Sequence, residues 1–153
     1  MITTDFHMAE SLHSGDERIH VEVVLDCAIA SIMDRVDMVF CGSEAIVENG
    51  GIINKTGTFQ ISIVAHEFQK PFYVAAESFK FFRLFPLTQE EIPNRMDKAF
   101  TPCEVCQRGV SADIPVFNPA SDYTPPTYIT LLFTELGVLT PSAVSDELIR
   151  LYA

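Results

Sequence analysis

Tryptophan is absent from this sequence of 153 residues, and basic residues are scarce. Ten Lys and Arg stand against 21 Asp and Glu, which gives a formal net charge of −11 at pH 7. A chain this acidic lacks the broad basic surface that binding to nucleic acid or to an anionic membrane requires, so we expect neither as a partner. A small anion pocket built from a few lysines and backbone amides is compatible with this charge.

Long apolar runs and common nucleotide-binding motifs are also missing. No run approaches the ~20 apolar residues of a membrane-spanning helix, and residues 1–18 are too polar and acidic for a signal peptide. We therefore expect a cytoplasmic protein with reduced thiols. Neither a Walker loop nor a G-x-G-x-x-G motif occurs.

The four cysteines do not form a recognisable metal-binding pattern. Cys103-x-x-Cys106 is half of a zinc site, a redox pair or two free thiols, and no second pair completes four zinc ligands. Two free thiols on a loop is the simplest interpretation. Cys27 and Cys41 lie in apolar or helix-like segments and are expected in the core. We therefore expect no metal and no cofactor.

Hydrophobic residues are abundant, at 48% of the chain, and twelve Phe supply aromatic bulk. This fraction indicates either a large core or an apolar surface that a partner covers. Short apolar runs alternate with segments of helical spacing, which predicts an α/β fold with a parallel sheet and helices on both faces. The predicted strands are 21–25, 38–41, 72–76 and 129–133, and the predicted helices are 27–36, 58–70 and 141–152.

The chain is interpreted as a single α/β domain, residues 19–153, preceded by an N-terminal tail or remnant. That tail, residues 1–18, has no periodic apolar pattern. Prolines and charges crowd residues 88–126, which we interpret as an irregular excursion from the domain, with a helical turn near 88–98.

The connection 42–57 is the first place to look for a site, because it is longer than most loops and rich in polar residues and glycine. It follows a predicted strand, and ligands of open parallel sheets bind outside the carboxyl ends of the strands. Gly50-Gly51 lets a backbone approach a ligand closely. Asn54 leads towards a helix that begins at Thr58, where unpaired N–H groups favour anions.

Charged side chains complete the predicted site. Lys55 and Lys80 supply positive charge, and Glu44 is a carboxylate suited to general acid or base work. Simpler interpretations stay open. Gly50-Gly51 could form only a tight turn, and Glu44 could pair with a lysine or cap a helix. Lys55 taken alone is better interpreted as a solvated loop residue. No Ser-His-Asp arrangement can be assembled, so no catalytic residue is assigned. The predicted phosphate or sugar-phosphate site comprises Glu44, Gly51, Asn54, Lys55 and Lys80.

Several runs, in the same order, resemble the C-terminal half of the subunits of eukaryotic translation initiation factor 2B. The resemblance is to the alpha/beta/delta subunit family, and RLFPL at 83–87 together with 131–152 favours the alpha type. It covers about residues 19–153. The other matching runs are VVLD at 23–26, ENGGIINKTGT at 48–58, KPFYVAAESFKF at 70–81 and DYTPP at 122–126.

The resemblance implies a Rossmann-like C-terminal domain, which in the family follows a helical N-terminal domain that is missing here. It implies a regulatory and assembly subunit, not an enzyme, of the guanine-nucleotide exchange factor for initiation factor 2. The implied partners are a second copy of the chain in a homodimer, the other subunits of initiation factor 2B, and initiation factor 2.

The family's fold is shared with methylthioribose 1-phosphate and ribose 1,5-bisphosphate isomerases, in which an Asn-Lys pair and a later lysine hold phosphate. The matching positions are Asn54, Lys55 and Lys80, and Glu44 stands where those enzymes have a catalytic aspartate. Their catalytic cysteine falls in the half that this sequence lacks, so isomerase activity is not expected. A retained phosphate or sugar-phosphate pocket is the alternative function.

Overall fold

The computed structural model describes residues 6–15, 20–92 and 119–152. The chain divides into two compact units, Met1–Asp37 and Met38–Ala153. The first unit holds helix α1 (Phe6–Gly15) and two 3-10 helices, Asp26–Ser31 and Met33–Arg35.

Three expectations for the first unit are wrong. Residues 21–25 form no strand, because a β-branched run becomes a strand only when a partner strand pairs with it. The apolar spacing at 27–36 produces 3-10 helices rather than a continuous α-helix. Cys27, expected in the core, is exposed. The segment interpreted as an N-terminal tail or remnant contains α1, and that domain assignment stays a prediction.

In the second unit the chain alternates between short strands and helices. Within the described part of this unit, the strands in chain order are β1 (Val39–Gly42), β2 (Ala45–Val47), β3 (Ile52–Lys55), β4 (Phe72–Ala75), β5 (Phe81–Phe82), β6 (Ser121–Thr124), β7 (Leu131–Thr134) and β8 (Gly137–Leu139). The same residues form the helices α2 (Thr58–Glu67) and α3 (Val144–Tyr152) and several short 3-10 helices.

The first sheet confirms the predicted α/β fold. Its strand order is β1-β4-β7-β8, in which β1, β4 and β7 are parallel and β8 returns antiparallel to β7. Phe72, Val74 and Leu132 are buried on one face, because alternate residues of a strand point to the same side. On the opposite face Phe40 is 59% and Phe133 is 36% exposed, and their ring centroids are 5.8 Å apart.

The second sheet lies largely where an irregular connection was predicted. Its order is β5-β2-β3-β6, and β2 and β3 form a hairpin inside 42–57. Strand β6, inside the predicted excursion, pairs antiparallel with β3, while β5 is parallel to β2. Ala45, Val47, Ile53 and Tyr123 form its buried cluster.

Asn49 and the two glycines shape the tip of this hairpin. The Asn49 side chain accepts a hydrogen bond from the Gly51 amide at 2.9 Å and donates to the Tyr123 hydroxyl at 2.7 Å and to the Pro86 carbonyl at 3.0 Å. Gly50 adopts a φ of 85°, and a Cβ there would lie 2.5 Å from the carbonyl carbon of Pro141. The glycine pair therefore serves a crowded turn.

Gln89 pairs with the backbone of β6 as a neighbouring strand would. It belongs to the 3-10 helix Gln89–Glu91, near the predicted turn at 88–98. Its amide oxygen accepts from the Tyr123 N–H at 2.8 Å, and its amide nitrogen donates to the Tyr123 carbonyl at 2.7 Å. The backbone N–H and the backbone carbonyl of Tyr123 are thereby both hydrogen-bonded to the Gln89 side chain.

The helices of the second unit begin and end close to the predicted places. Helix α2 begins at Thr58 as predicted and ends at Glu67, ahead of Pro71. Residues Pro141–Ala143 form a 3-10 helix that leads into α3, whose Val144 and Leu148 are buried. Among the described residues, no helix combines the length and the apolar character needed to cross a membrane.

Candidate functional site

Two of the predicted site residues meet at the β2–β3 hairpin. The Lys55 ammonium lies 2.6 Å from Oε1 of Glu44, and Oε2 of Glu44 accepts a hydrogen bond from the Ser121 hydroxyl at 3.1 Å. The β3–β6 register sets Ser121 opposite Lys55. The carboxylate of Glu44 is therefore held between a lysine from β3 and a serine from β6, and Lys55 itself is largely exposed.

Asn54 and Thr58 form the connection from β3 to α2. The Asn54 amide donates to the Thr58 hydroxyl at 3.1 Å, and that hydroxyl donates to the Lys55 carbonyl at 2.7 Å. These bonds close the turn that leads into the helix. The Asn54 side chain is thus used in the local structure, next to the ion pair. We call Glu44, Asn54, Lys55, Thr58, Ser121 and Asp122 the junction cluster.

Asp122, like Ser121, is a member of the junction cluster that the sequence analysis does not single out. Its Oδ2 accepts from the Gly57 amide at 2.7 Å and from the Phe59 amide at 3.1 Å, at the N-terminus of α2. Burial raises the pKa of Asp122, and these two amide donors oppose the rise. Its other oxygen, Oδ1, is buried and has no hydrogen-bond partner within the described part of the chain.

Cys41, in β1, is half-buried, and Ser43, just after β1, is buried. Burial raises the pKa of the Cys41 thiol to about 12, and the negative charge of Asp122 adds to the effect. The thiol therefore stays protonated and is a poor nucleophile at neutral pH. Ser43 is 6% exposed, and its hydroxyl also has no partner among the described residues.

Lys80 lies in a different pocket, at the carboxyl ends of β4 and β7. This open pocket has a volume of about 410 Å³ and is lined by Ala75, Ala76, Glu77, Lys80, Phe133, Thr134 and Glu135. The Lys80 ammonium is 2.9 Å from Oε2 of Glu77, which lowers the pKa of Glu77. Both oxygens of Glu135 accept from the Ser78 amide, at 2.9 and 3.0 Å, and hydrogen bonding from Ser78 lowers the pKa of Glu135. The single lysine of the pocket is therefore accompanied by two carboxylates.

The structure brings Glu44, Asn54 and Lys55 together and places Lys80 and Gly51 elsewhere. Gly51 is buried, and a Cβ there would lie 2.5 Å from Cε2 of Tyr123 and 2.8 Å from the carbonyl oxygen of Thr124. Close packing against β6 accounts for this glycine, and its contact with a ligand stays a prediction. The described residues contain no group of three His, Cys, Asp or Glu placed to hold a metal ion.

Sequence reasoning missed Ser121 and Asp122 because it assigned 88–126 to an irregular excursion. Asp122 belongs to the DYTPP run at 122–126, which contributes to the family resemblance but has no predicted chemical role. The available signal was the tyrosine and threonine that follow Asp122, since both residues favour strands. A strand there would have placed the carboxylate beside another strand.

Comparison with known proteins identifies the group to which the chain belongs. Residues 7–141 match the model of the initiation factor 2 subunit family. The chain belongs to this family. The match includes the hairpin, the junction cluster and the parallel strands described above, so the family sequence pattern spans both sheets.

Curated relatives refine this placement within the family. The chain is 59% identical to translation initiation factor eIF2B subunit alpha of Dictyostelium discoideum, over 88% of the chain and 43% of the relative. It is 39% identical to the same subunit of Caenorhabditis elegans, over 85% of the chain and 41% of the relative. Ribose 1,5-bisphosphate isomerase of Archaeoglobus fulgidus is 37% identical, over 80% of the chain and 38% of that enzyme. The chain spans less than half the length of these relatives.

Solved structures of the family have the same fold. A 5-methylthioribose 1-phosphate isomerase from Pyrococcus horikoshii OT3 superposes with a TM-score of 0.70 at 29% identity, covering 94% of this chain and 40% of that one. The translation initiation factor eIF-2B of the same organism gives a TM-score of 0.64 at 28% identity, covering 88% and 44%. The expected resemblance to alpha subunits of initiation factor 2B is confirmed, and the shares covered fit one half of such a subunit.

Proposed function

We propose that the chain acts in a regulatory and assembly subunit of the guanine-nucleotide exchange factor for initiation factor 2, without catalysing the exchange itself. The observation that carries the proposal is the 59% identity to the alpha subunit of Dictyostelium discoideum. The proposed partners are a second copy of the chain, the other subunits of initiation factor 2B, and initiation factor 2. The proposed location is the cytoplasm.

Exposed apolar side chains support a role in assembly. Phe79, Phe85 and Leu87 are 78%, 59% and 74% exposed. Phe85 and Leu87 belong to the run at 83–87 that favours the alpha type, and Phe79 belongs to the matching run at 70–81. Three exposed large apolar side chains within residues 79–87 are a candidate surface for a protein–protein contact. On one face of the first sheet, the neighbouring rings of Phe40 and Phe133 form a separate aromatic surface.

Co-purification tests this proposal. The tagged chain is produced together with the beta and delta subunits of initiation factor 2B, and light scattering measures the mass of the chain alone. We expect recovery of both subunits and, for the chain alone, twice the 17.1-kDa chain mass. Phe79→Asp or Leu87→Asp should reduce recovery, whereas the exposed control Thr127→Asp should not. A monomer that recovers neither subunit contradicts the proposal.

A second candidate function is the binding of phosphate or a sugar phosphate. It is favoured by the 37% identity to a ribose 1,5-bisphosphate isomerase and by the position of Asn54 and Lys55 beside Glu44. Since Glu44 already pairs with the exposed Lys55 ammonium, an incoming phosphate has to compete with this carboxylate. A phosphate that binds Lys80 would likewise have to compete with the Glu77 carboxylate, which lies 2.9 Å from the Lys80 ammonium.

Calorimetric titration with ribose 5-phosphate tests the second candidate. Glu44→Gln should raise the affinity, because it frees the Lys55 ammonium, and Lys55→Ala should lower it. Lys70→Ala, beyond the C-terminal end of α2 at Glu67, is the control for loss of one positive charge. Equal affinity in all four proteins would remove the junction cluster from phosphate binding.

A further inference from the structure

Asn49-Gly50, at the tip of the β2–β3 hairpin, is the single Asn-Gly dipeptide of the sequence. Asparagine followed by glycine is prone to spontaneous loss of its side-chain amide, because glycine has no side chain to hinder its own nitrogen. The Gly50 nitrogen attacks the amide carbon of Asn49, and a C–N bond forms. Ammonia leaves with the proton of that nitrogen, and a succinimide ring remains. Water then opens the ring at either carbonyl and gives aspartate or isoaspartate.

Backbone hydrogen bonds close the turn around the reacting nitrogen. The Gly50 N–H donates to the Val47 carbonyl at 2.8 Å, and the Val47 N–H donates to the Gly51 carbonyl at 2.9 Å. Loss of the Gly50 proton would set an anionic nitrogen against the Val47 carbonyl oxygen, so this hydrogen bond disfavours the reactive form. The nitrogen therefore reacts only after this part of the turn opens.

The side chain of Asn49 is held away from the reaction as well. Its oxygen accepts from the Gly51 amide at 2.9 Å, and its nitrogen donates to the Tyr123 hydroxyl at 2.7 Å and to the Pro86 carbonyl at 3.0 Å. Tyr123 is 3% exposed, so its hydroxyl is a fixed partner. The carboxamide has to leave these contacts before its carbon can turn towards the Gly50 nitrogen.

The products of the reaction do not fit the closed turn. In aspartate at position 49, an oxygen replaces the nitrogen that donates to the Pro86 carbonyl, so two acceptors would face each other about 3.0 Å apart. Isoaspartate adds one carbon to the main chain inside the turn that the Val47–Gly51 hydrogen bond closes. Either product therefore keeps the hairpin tip from returning to its native contacts.

We propose that Asn49-Gly50 is a latent modification site, closed in the native hairpin and converted to aspartate or isoaspartate when the hairpin tip opens. A turn of this kind opens locally, without unfolding of the whole domain. The hydrogen bond between Asn49 and Tyr123 controls the opening, and the modified hairpin does not close again. This inference does not depend on the exchange-factor proposal.

Mass spectrometry of peptide digests measures the conversion of Asn49 at mildly alkaline pH, with and without denaturing urea. A peptide of residues 46–52 in the same two buffers gives the intrinsic rate of the dipeptide. We expect the native chain to react at least about tenfold more slowly than the peptide, because several hydrogen bonds have to break first. In denaturing urea the chain should react at the rate of the peptide. A native chain that reacts as fast as the peptide would overturn the proposal.

Tyr123→Phe removes the hydroxyl that holds the Asn49 carboxamide and keeps the ring in the core. We expect the native rate to rise about two- to tenfold, which corresponds to the loss of one net hydrogen bond. Tyr128→Phe, beside α2, is the control for loss of a tyrosine hydroxyl elsewhere. Gly137→Ala is the control for loss of global stability, since its φ of 127° is strained but a Cβ there has no atom within 4 Å.

Neither control should accelerate the reaction. An unchanged rate in Tyr123→Phe, or an equal rise in Gly137→Ala, contradicts local opening controlled by Tyr123. Urea below the unfolding transition tests the same point in the wild-type chain, which keeps the experiment decisive if Tyr123→Phe does not fold. Local opening predicts conversion in molecules that remain folded, whereas conversion in proportion to the unfolded fraction contradicts it.

The modified chain is then separated from the unmodified chain by ion exchange, since it carries one more negative charge. Urea unfolding of the two forms and of Asn49→Asp measures the effect of the products on the fold. We expect the modified chain and Asn49→Asp to unfold at lower urea concentrations than the unmodified chain. Equal midpoints in all three proteins would mean that the products fit the closed turn, and the proposal would be wrong.

Discussion

Replacement of Gly50 by alanine is expected to destabilise the second unit strongly, for two separable reasons. A φ of 85° is left-handed backbone, which costs an L-residue about 1–2 kcal/mol. The new Cβ would also lie 2.5 Å from the Pro141 carbonyl carbon and still closer to its oxygen, so the segment before α3 has to move. Overpacking of this kind costs about 1–3 kcal/mol, which gives a total of about 2–5 kcal/mol.

Other glycines of the same chain separate the two contributions. Gly137 has a φ of 127°, and a Cβ added there would have no atom within 4 Å, so Gly137→Ala measures backbone strain alone, about 1–2 kcal/mol. Gly51→Ala measures the clash with Tyr123 and Thr124. Gly42→Ala, where the nearest atom is 4.0 Å away, should change stability by less than about 0.5 kcal/mol.

Equilibrium urea unfolding of the four variants provides the measurement. The order of destabilisation should place Gly50→Ala above Gly137→Ala, and Gly42→Ala near the wild type, with unchanged denaturant dependence. A domain has only about 5–15 kcal/mol of stability, so Gly50→Ala removes a large part of it. If Gly50→Ala and Gly137→Ala lose the same amount, the close approach of the hairpin tip to Pro141 is not a constraint in solution and the steric argument is wrong.

Three further predictions concern single side chains. In a variant whose other cysteines are replaced by serine, Cys41 should react with iodoacetamide at pH 9 about 500-fold more slowly than an exposed thiol. The reason is that a pKa of about 12 leaves about one thiol in a thousand as thiolate at this pH. A rate equal to that of Cys27, measured in a variant that keeps only Cys27, would contradict this. Burial raises the pKa of the Asp122 carboxyl above 3.8, so the folded state binds the carboxyl proton more tightly than the unfolded state does. The contribution of Asp122 to the free energy of unfolding therefore falls as the pH rises through the folded-state pKa. Stability of Asp122→Asn relative to the wild type should therefore increase from about pH 4 upward in urea unfolding, and a flat difference would refute the sign. Asn49→Ala leaves the Gly51 amide and the Tyr123 hydroxyl without their partner and should cost about 1–3 kcal/mol by the same assay, whereas a neutral change would mean that water replaces the amide.

The parallel part of the fold could be predicted because its signals are local. Strands β1, β4 and β7 are continuous apolar runs, and Thr58 and Pro71 mark the limits of α2. The run at 21–25 has equally strong local preference, yet it forms no strand. A strand is defined by its hydrogen-bond pairing with another strand, and the sequence of a β-branched run does not show whether a partner strand is available.

The second sheet could not be predicted because its strands are short and its pairing is distant. Ile52 and Ile53 are followed by polar residues, so β3 looks like part of a loop. Strand β6 reads Ser-Asp-Tyr-Thr and acquires its place only by pairing with β3. For the same reason Glu44 and Lys55 could be proposed as neighbours from one segment, whereas Ser121 and Asp122 could not.

The pairing of Gln89 with β6 has a consequence for how this chain can associate. An exposed strand edge is a template for a strand from another molecule, and proteins use such edges for β-augmentation or aggregate through them. Gln89 occupies both the N–H and the carbonyl of Tyr123, so an incoming strand would have to displace this side chain first. Gln89→Ala would leave the N–H and the carbonyl of Tyr123 without these two hydrogen bonds, so the natural side chain disfavours the addition of a strand at this residue.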